Sequence, residues 1–265
     1  MGIHLRTITG AAARALAALG SGDLMRVAPI SRSAVNEVGR LALPDSLVDA
    51  ISNSGDSHLT LMVVPDAATW AISWSVIAHP ETGSLLERCD ISVTSSVHTL
   101  RTRPQRAHTS TGAVQALIDR RIPAGAALES RLARFTTTST TVDIQVVYGH
   151  GGGQDLEYGI DTGGELADAF SVDPAEIVIL ASCRSGTRSP APMPLGLVSA
   201  TMLRGAATVI AGLWDLPTDS TARVTGDIVE LLLAGNSPAS ALRQATDGLD
   251  LPWPNWAGLG VFGWA

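Results

Sequence analysis

Apolar positions along the chain fall into two patterns. Short runs without alternation, such as Val142–Tyr148, Glu176–Ala181 and Ala207–Leu213, are rich in Val and Ile and read as strands buried on both faces. Stretches with apolar residues three and four apart read as helices. Ser220–Ala234 is the cleanest, with Val224, Ile228, Leu231 and Leu232 at helical spacing and Gly235 just past its end. Ser237-Pro238 opens another helix, with Ser at the cap and Pro at the first helical position. Further helices are expected over Ala11–Leu19, Pro44–Ile51, Gly112–Arg121, Ala124–Arg134 and Leu195–Arg204, and a short one over Gly163–Phe170. His58–Val64 and Leu259–Phe262 read as strands, and Trp70–Ile77 and Asp90–Val93 as shorter extended pieces. Thr99–Thr111 reads as irregular, Thr136–Thr141 as a Thr/Ser linker and Ser185–Pro194 as a loop. Strand and helix alternate from residue 56 onward, which predicts an α/β domain with a mostly parallel sheet. Residues 1–55 read as a helical lead-in packed on that domain, broken from it by Asn53-Ser54-Gly55-Asp56.

Two of the predicted strands end in reactive residues. Val142–Tyr148 runs into Gly149-His150-Gly151-Gly152-Gly153, and Glu176–Ala181 runs into Ser182-Cys183-Arg184-Ser185-Gly186. With the expected helix Gly163–Phe170 as the crossover, the two strands lie parallel and adjacent. Their carboxyl ends then share one sheet edge, where open α/β sheets bind ligands. An imidazole and a thiol at that edge suit a cysteine nucleophile with a histidine partner. A cation beside a thiol raises its thiolate fraction, and Arg184 or a protonated His150 could supply one. Four glycines around one histidine are costly in chain entropy unless backbone must closely approach something, such as a substrate peptide. The N–H groups of Gly151 and Cys183 are the natural donors for an oxyanion. His150-Gly151-Gly152-Gly153 also matches the oxyanion loop of lipase-type hydrolases. No Gly-x-Ser-x-Gly elbow accompanies it, and no histidine follows position 150, so that reading falls.

Composition narrows the class further. The net charge is −7 over 265 residues, which argues against a dedicated nucleic-acid binder. Cys89 and Cys183 are the only cysteines. Their spacing suggests no metal site, and one disulfide would staple little of so long a chain. No apolar run approaches the length of a membrane span, and no signal-peptide architecture surrounds Ala11–Leu19. The reducing cytosol is the expected compartment. It suits a free thiol.

The segments Asp143–Gly151 (DIQVVYGHG) and Ile177–Gly186 (IVILASCRSG) resemble the His and Cys boxes of CHAT-domain peptidases, caspase-like cysteine proteases related to separase. The resemblance continues through Gly196–Leu203, Gly205–Trp214, Ser237–Gln244 and Trp256–Gly263, and more loosely through Leu61–Asp66 and Leu85–Leu100. It implies a caspase-like α/β sandwich over 56–265, with a mostly parallel central sheet flanked by helices. It also implies a cysteine endopeptidase in a regulated bacterial signalling or antiviral defence pathway. Such an enzyme takes a protein or peptide substrate and has an activating or regulatory partner. Neither metal nor cofactor is implied, and neither nucleic acid nor membrane is expected as a direct partner. The alternative is a catalytically inactive scaffold on the same fold.

Three departures stand out. Val146 occupies a position where the family often carries a second His. The region 101–141 is short enough to lack one strand–helix unit. The acids after Leu213-Trp214 are shifted, with Asp215 and Asp219 flanking Pro217. By resemblance that loop lines the first specificity pocket, so Asp215 and Asp219 are candidate acids for an Arg side chain. Asp219 has an alternative duty as the cap of the helix near Ser220. For Asp215 no structural duty is evident in the sequence, which makes it the better pocket candidate; the alternative is an apolar pocket built by Leu213 or Leu216.

Overall fold

The structure is a computed structural model. It describes residues 36, 38–40, 43–55, 57–64, 74–79, 83–94, 112–137, 142–151, 159–163, 166–168, 175–186, 196–247, 249 and 258–264. The expected helix Ala11–Leu19, the Thr99–Thr111 stretch, most of the Thr/Ser linker and most of the Ser185–Pro194 loop lie outside the described residues.

Eleven strands are described. β1 (Leu59–Val63), β4 (Cys89–Val93), β5 (Val114–Ile118), β6 (Ile144–Tyr148), β9 (Ile177–Ala181), β10 (Thr208–Gly212) and β11 (Leu259–Gly263) form one sheet in the order β1-β4-β11-β10-β9-β6-β5. Two small hairpins stand apart from it, β2 (Ala78–His79) with β3 (Gly83–Ser84), and β7 (Gly159–Asp161) with β8 (Leu166–Asp168). Neighbouring strands of the main sheet are parallel except β10 and β11. The sheet is therefore mixed, with β5, β6, β9 and β10 running one way and β11, β4 and β1 the other. The carboxyl ends of the first four share one edge. Every residue of β6, β9, β10 and β11 is buried. That accounts for apolar runs without alternation.

The helices are α1 (Asp45–Asn53), α2 (Leu85–Arg88), α3 (Pro123–Leu132), α4 (Leu197–Leu203), α5 (Thr218–Leu233) and α6 (Pro238–Thr246). α3, α5 and α6 pack side by side, and α4 packs on β10. Arg131 of α3 latches onto α5 through Asp227 at 2.7 Å and Glu230 at 2.9 Å. A Cβ at Gly226 would sit only 2.6 Å from the Arg131 guanidinium, so the glycine makes room for the latch. The cap of α6 is as expected, with Ser237 Oγ accepting the Ser240 N–H. Gly235, at φ 91, follows α5 in the left-handed conformation that favours glycine.

Several expectations need correcting. Gly112–Arg121 is not a helix: it holds β5, an edge strand parallel to β6. Gln115 and Ala116 tolerate either state, but the open edge of β6 supplies ladder partners that an isolated helix would not have. The Gln145 amide also donates to the Gln115 amide oxygen across that ladder, at 2.9 Å. With α3 following, the described part of 101–141 holds one strand–helix unit. Within Gly163–Phe170, Leu166–Asp168 is strand rather than helix and pairs back antiparallel onto Gly159–Asp161; residues 164–165 and 169–170 lie outside the described residues. Asp161 Oδ1 accepts the Gly163 N–H at 2.8 Å while Gly163 sits at φ 96, a turn geometry no helix can continue. Within Trp70–Ile77, residues Trp74–Val76 form a 3-10 turn rather than extended chain; residues 70–73 lie outside the described residues.

Candidate active site

β6 and β9 pair in parallel from Ile144 opposite Ile177 to Tyr148 opposite Ala181. His150 and Cys183 each follow that last rung by two residues. They leave the sheet together, at the edge shared by the carboxyl ends of β5, β6, β9 and β10.

Among the described residues, main-chain hydrogen bonds tie the histidine loop to Asp161. His150 exchanges both main-chain hydrogen bonds with Asp161, at 3.0 and 2.9 Å. The approach is close enough that a Cβ on Gly149 would strike the Asp161 carbonyl. Asp161 is fixed in turn by Arg121, which bridges it at 2.9 Å to the fully buried carboxylate of Asp119 at 2.8 Å. That guanidinium holds the Asp119 carboxyl below its ordinary range. His150 itself is exposed. A Cβ on Gly151 would lie 2.6 Å from the Cys183 carbonyl oxygen and 2.9 Å from Ser182 Oγ. The two loops meet there, the glycine lying against the Cys183 carbonyl and the Ser182 side chain.

The cysteine loop is a tight turn over Ser182–Gly186. Buried Ser185 braces it: its hydroxyl lies 2.7 Å from the Leu180 carbonyl and 3.0 Å from the Ser182 carbonyl, and its oxygen accepts the Gly212 N–H at 2.9 Å. Arg184 sits at φ 56, a left-handed conformation that a residue with a Cβ rarely takes. Ser182 Oγ, facing Gly151, is buried without a hydrogen-bond partner among the described residues. Leu216 N–H donates to Cys183 Sγ at 3.3 Å.

Burial pushes the Cys183 thiol up, the Leu216 N–H pulls it down, Asp215 pushes it up and Arg184 pulls it down. Arg184 does pull the thiol down, as expected, but burial outweighs it and the thiol stands above its ordinary value. The Arg184 guanidinium forks onto Asp215, at 2.9 and 3.1 Å, and the two charges oppose one another at the sulfur. Asp215, expected to be without structural duty, has one. Asp219 is not the cap of its helix: α5 begins at Thr218 with Pro217 at the cap position and no side-chain capping bond. Asp219 lies exposed in the first turn of α5, and its charge acts on Tyr148, the last residue of β6. Cys89 is fully buried in β4, and burial lifts its thiol to about 11.

Residues 152–251 match the family model of the CHAT domain. Over that stretch the chain is similar to a CHAT domain. The matched span takes in Cys183, Asp215, Asp219, α5 and α6, and opens two residues after His150. No curated protein matches the chain in sequence. Among solved structures, separase in the Saccharomyces cerevisiae separase–securin complex aligns with TM-score 0.55 at 14% identity, over 79% of this chain. This chain spans only 16% of that one. The Arg specific cysteine proteinase gingipain R aligns with TM-score 0.55 at 13% identity, over 90% of this chain and 68% of its own. The Porphyromonas gingivalis RgpB complex of pro- and mature domains aligns with TM-score 0.53 at 10% identity, over 97% and 77%. The fold of this chain is the caspase-like one these proteins share.

The Ser185 brace, the Leu216 N–H on the sulfur and the pairing of Arg184 with Asp215 were not legible in the sequence. Arg184 drew notice beside the cysteine, but nothing in the spacing of 184 and 215 predicts that they meet.

Proposed function

We propose that this chain is a cysteine endopeptidase in which Cys183 is the nucleophile and His150 the general acid–base. The carrying observation is the common level of the two loops, each two residues past the rung Tyr148–Ala181, with Gly151 packed on the Cys183 backbone. Because burial leaves the thiol protonated at neutral pH, the reaction needs a base. His150 takes the Sγ proton as sulfur attacks the peptide carbonyl carbon. The resulting oxyanion is met by the Gly151 and Cys183 N–H groups. Collapse breaks the C–N bond, and His150 returns the proton to the leaving amine. Water, deprotonated by His150, then hydrolyses the thioester and restores the thiol.

The substrate is a protein, cut in a regulated bacterial signalling or antiviral defence pathway in the cytoplasm. Among the described residues no helix is long and apolar enough to cross a membrane. A neighbour solved with securin supports a protein partner as regulator. For the residue before the cut we propose Arg, with Asp219 rather than the ion-paired Asp215 as the pocket acid. An exposed carboxylate with no ion pair among the described residues can meet a guanidinium in fork geometry. The Arg specificity named for gingipain R supports this choice.

The test supplies wild type or Cys183→Ala to a lysate of the source cell and maps new N-termini by mass spectrometry. Termini that need Cys183 and follow Arg are expected. Identical sets from the two proteins would replace the peptidase reading with that of an inactive scaffold. Cuts after Leu or Met, unchanged in Asp219→Ala, would remove the pocket assignment alone.

A further inference from the structure

Cys183 and Arg184 are gripped by three consecutive residues of the chain that leaves β10. The Trp214 carbonyl accepts the Arg184 N–H at 3.3 Å. Asp215 takes the Arg184 guanidinium on both oxygens, at 2.9 and 3.1 Å. Leu216 N–H donates to the sulfur at 3.3 Å. The gripping segment is itself anchored. Trp214 and Leu216 are buried and both lie against Gly258, where a Cβ would be 2.7 Å from the Trp214 indole nitrogen. The left-handed backbone of Arg184 needs an external restraint to persist, and a bidentate fork fixes both the distance and the plane of the guanidinium.

We propose that the Arg184–Asp215 pair is a positioning device for the nucleophile, holding Sγ on the Leu216 N–H and cancelling its own two charges beside the sulfur. It rests on the reading of Cys183 as nucleophile, and neither residue touches substrate. Among the described residues, the groups whose charge couples to the sulfur are Arg184 and Asp215 from the two loops and Tyr148 from β6. His150 lies at the end of β6. Tyr148 is itself faced by Asp219 and Asp119, and burial first, with Asp219 next, lifts its hydroxyl to about 12, so it is neutral over the working range. The balance at the thiol therefore lies between Arg184 and Asp215.

The pair makes a prediction with opposite signs for its two halves. Removing Asp215 takes away the anion that opposes Arg184 at the sulfur, which favours the thiolate, so the thiol titrates at lower pH. Removing Arg184 leaves an unopposed anion, and it titrates at higher pH. Both side chains are about a quarter to a third exposed, at 25% and 34%. Water screening trims the usual one-to-three-unit effect of a neighbouring charge to a change of about threefold in thiolate at neutral pH.

The experiment measures iodoacetamide labelling of Cys183 by peptide mapping, from pH 5 to 10, in the intact chain. Wild type is compared with Asp215→Asn, Arg184→Gln and the double variant, with thermal melts alongside. Expected at pH 7 are labelling about threefold faster in Asp215→Asn, about threefold slower in Arg184→Gln, and near wild type in the double variant. Profiles shifted the same way in both single variants, or not shifted at all, overturn the proposal. If Arg184→Gln fails to fold, Asp215→Asn and Arg184→Lys still decide it. The lysine keeps the charge and should keep the wild-type midpoint; a midpoint moved as far as expected for glutamine refutes it. Labelling needs no turnover, so an inactive wild type would end the peptidase reading while leaving this one standing.

Discussion

Gly151→Ala isolates the junction between the two loops. The added Cβ would stand 2.6 Å from the Cys183 carbonyl oxygen and 2.9 Å from Ser182 Oγ, where ordinary contact begins at 3.4 Å. Packed neighbours do not compress, so the loops must separate by about 0.8 Å. Alanine keeps the N–H proposed for the oxyanion and moves only its place. A misplacement near 1 Å costs on the order of 100-fold in turnover. The overpacking itself costs about 1–3 kcal/mol of stability. The assay is kcat and KM on a fluorogenic peptide ending in Arg, with a thermal melt as control. The expected result is kcat down by about 10- to 100-fold with the melt lowered by a few degrees. Wild-type kcat with an unchanged melt would refute the reasoning, because it would mean the loops do not meet through this glycine.

Cys183→Ala and His150→Ala should each abolish cleavage with the fold intact, and the double variant should be no worse than either, since the two act as one unit; additive losses would separate them. An alkylator should label Cys183 well before Cys89, which is fully buried with its thiol lifted to about 11, and peptide mapping reads this directly. Ser185→Ala leaves the Gly212 N–H without the acceptor it has at 2.9 Å, a loss of about 1–3 kcal/mol that a denaturant melt would show; an unchanged midpoint would deny the brace. Asp119 has a carboxyl held below its ordinary value by Arg121. Its stabilisation is full above the unfolded-state value of about 3.9 and is lost as pH falls through the lower folded one. Asp119→Asn should therefore flatten the melting temperature between pH 5 and pH 2, and parallel curves for the two proteins would contradict this. The isolated chain should turn over short peptides slowly, because loops that must be ordered for catalysis come from the low-stability end; high basal turnover would mean the site is already assembled.

The two strands that matter are legible in the chain alone, since β-branched runs ending in glycine are a local signal that needs no partner. The sequence also placed the body of α5, Gly235 past its end and the Ser237 cap of α6, where capping and helical spacing are local, but not the start of α5, which lies at Thr218 rather than after a cap at Asp219. His150 and Cys183 were legible because each closes such a run, and because parallel neighbours bring their ends to one edge. Tertiary structure decided the rest. Val114–Ile118 became a strand because the edge of β6 offered it hydrogen-bond partners. Leu166–Asp168 became half of a hairpin because the Asp161–Gly163 turn reverses the chain. The reversal between β10 and β11 divides the sheet into two opposed blocks, and no local pattern encodes a strand's direction. The thiol's environment is likewise non-local: Asp215 and Leu216 lie 31 and 33 residues from the groups they touch. Charge and hydrogen bonding at that range depend on where the backbone of β10 ends, which only the packed sheet decides.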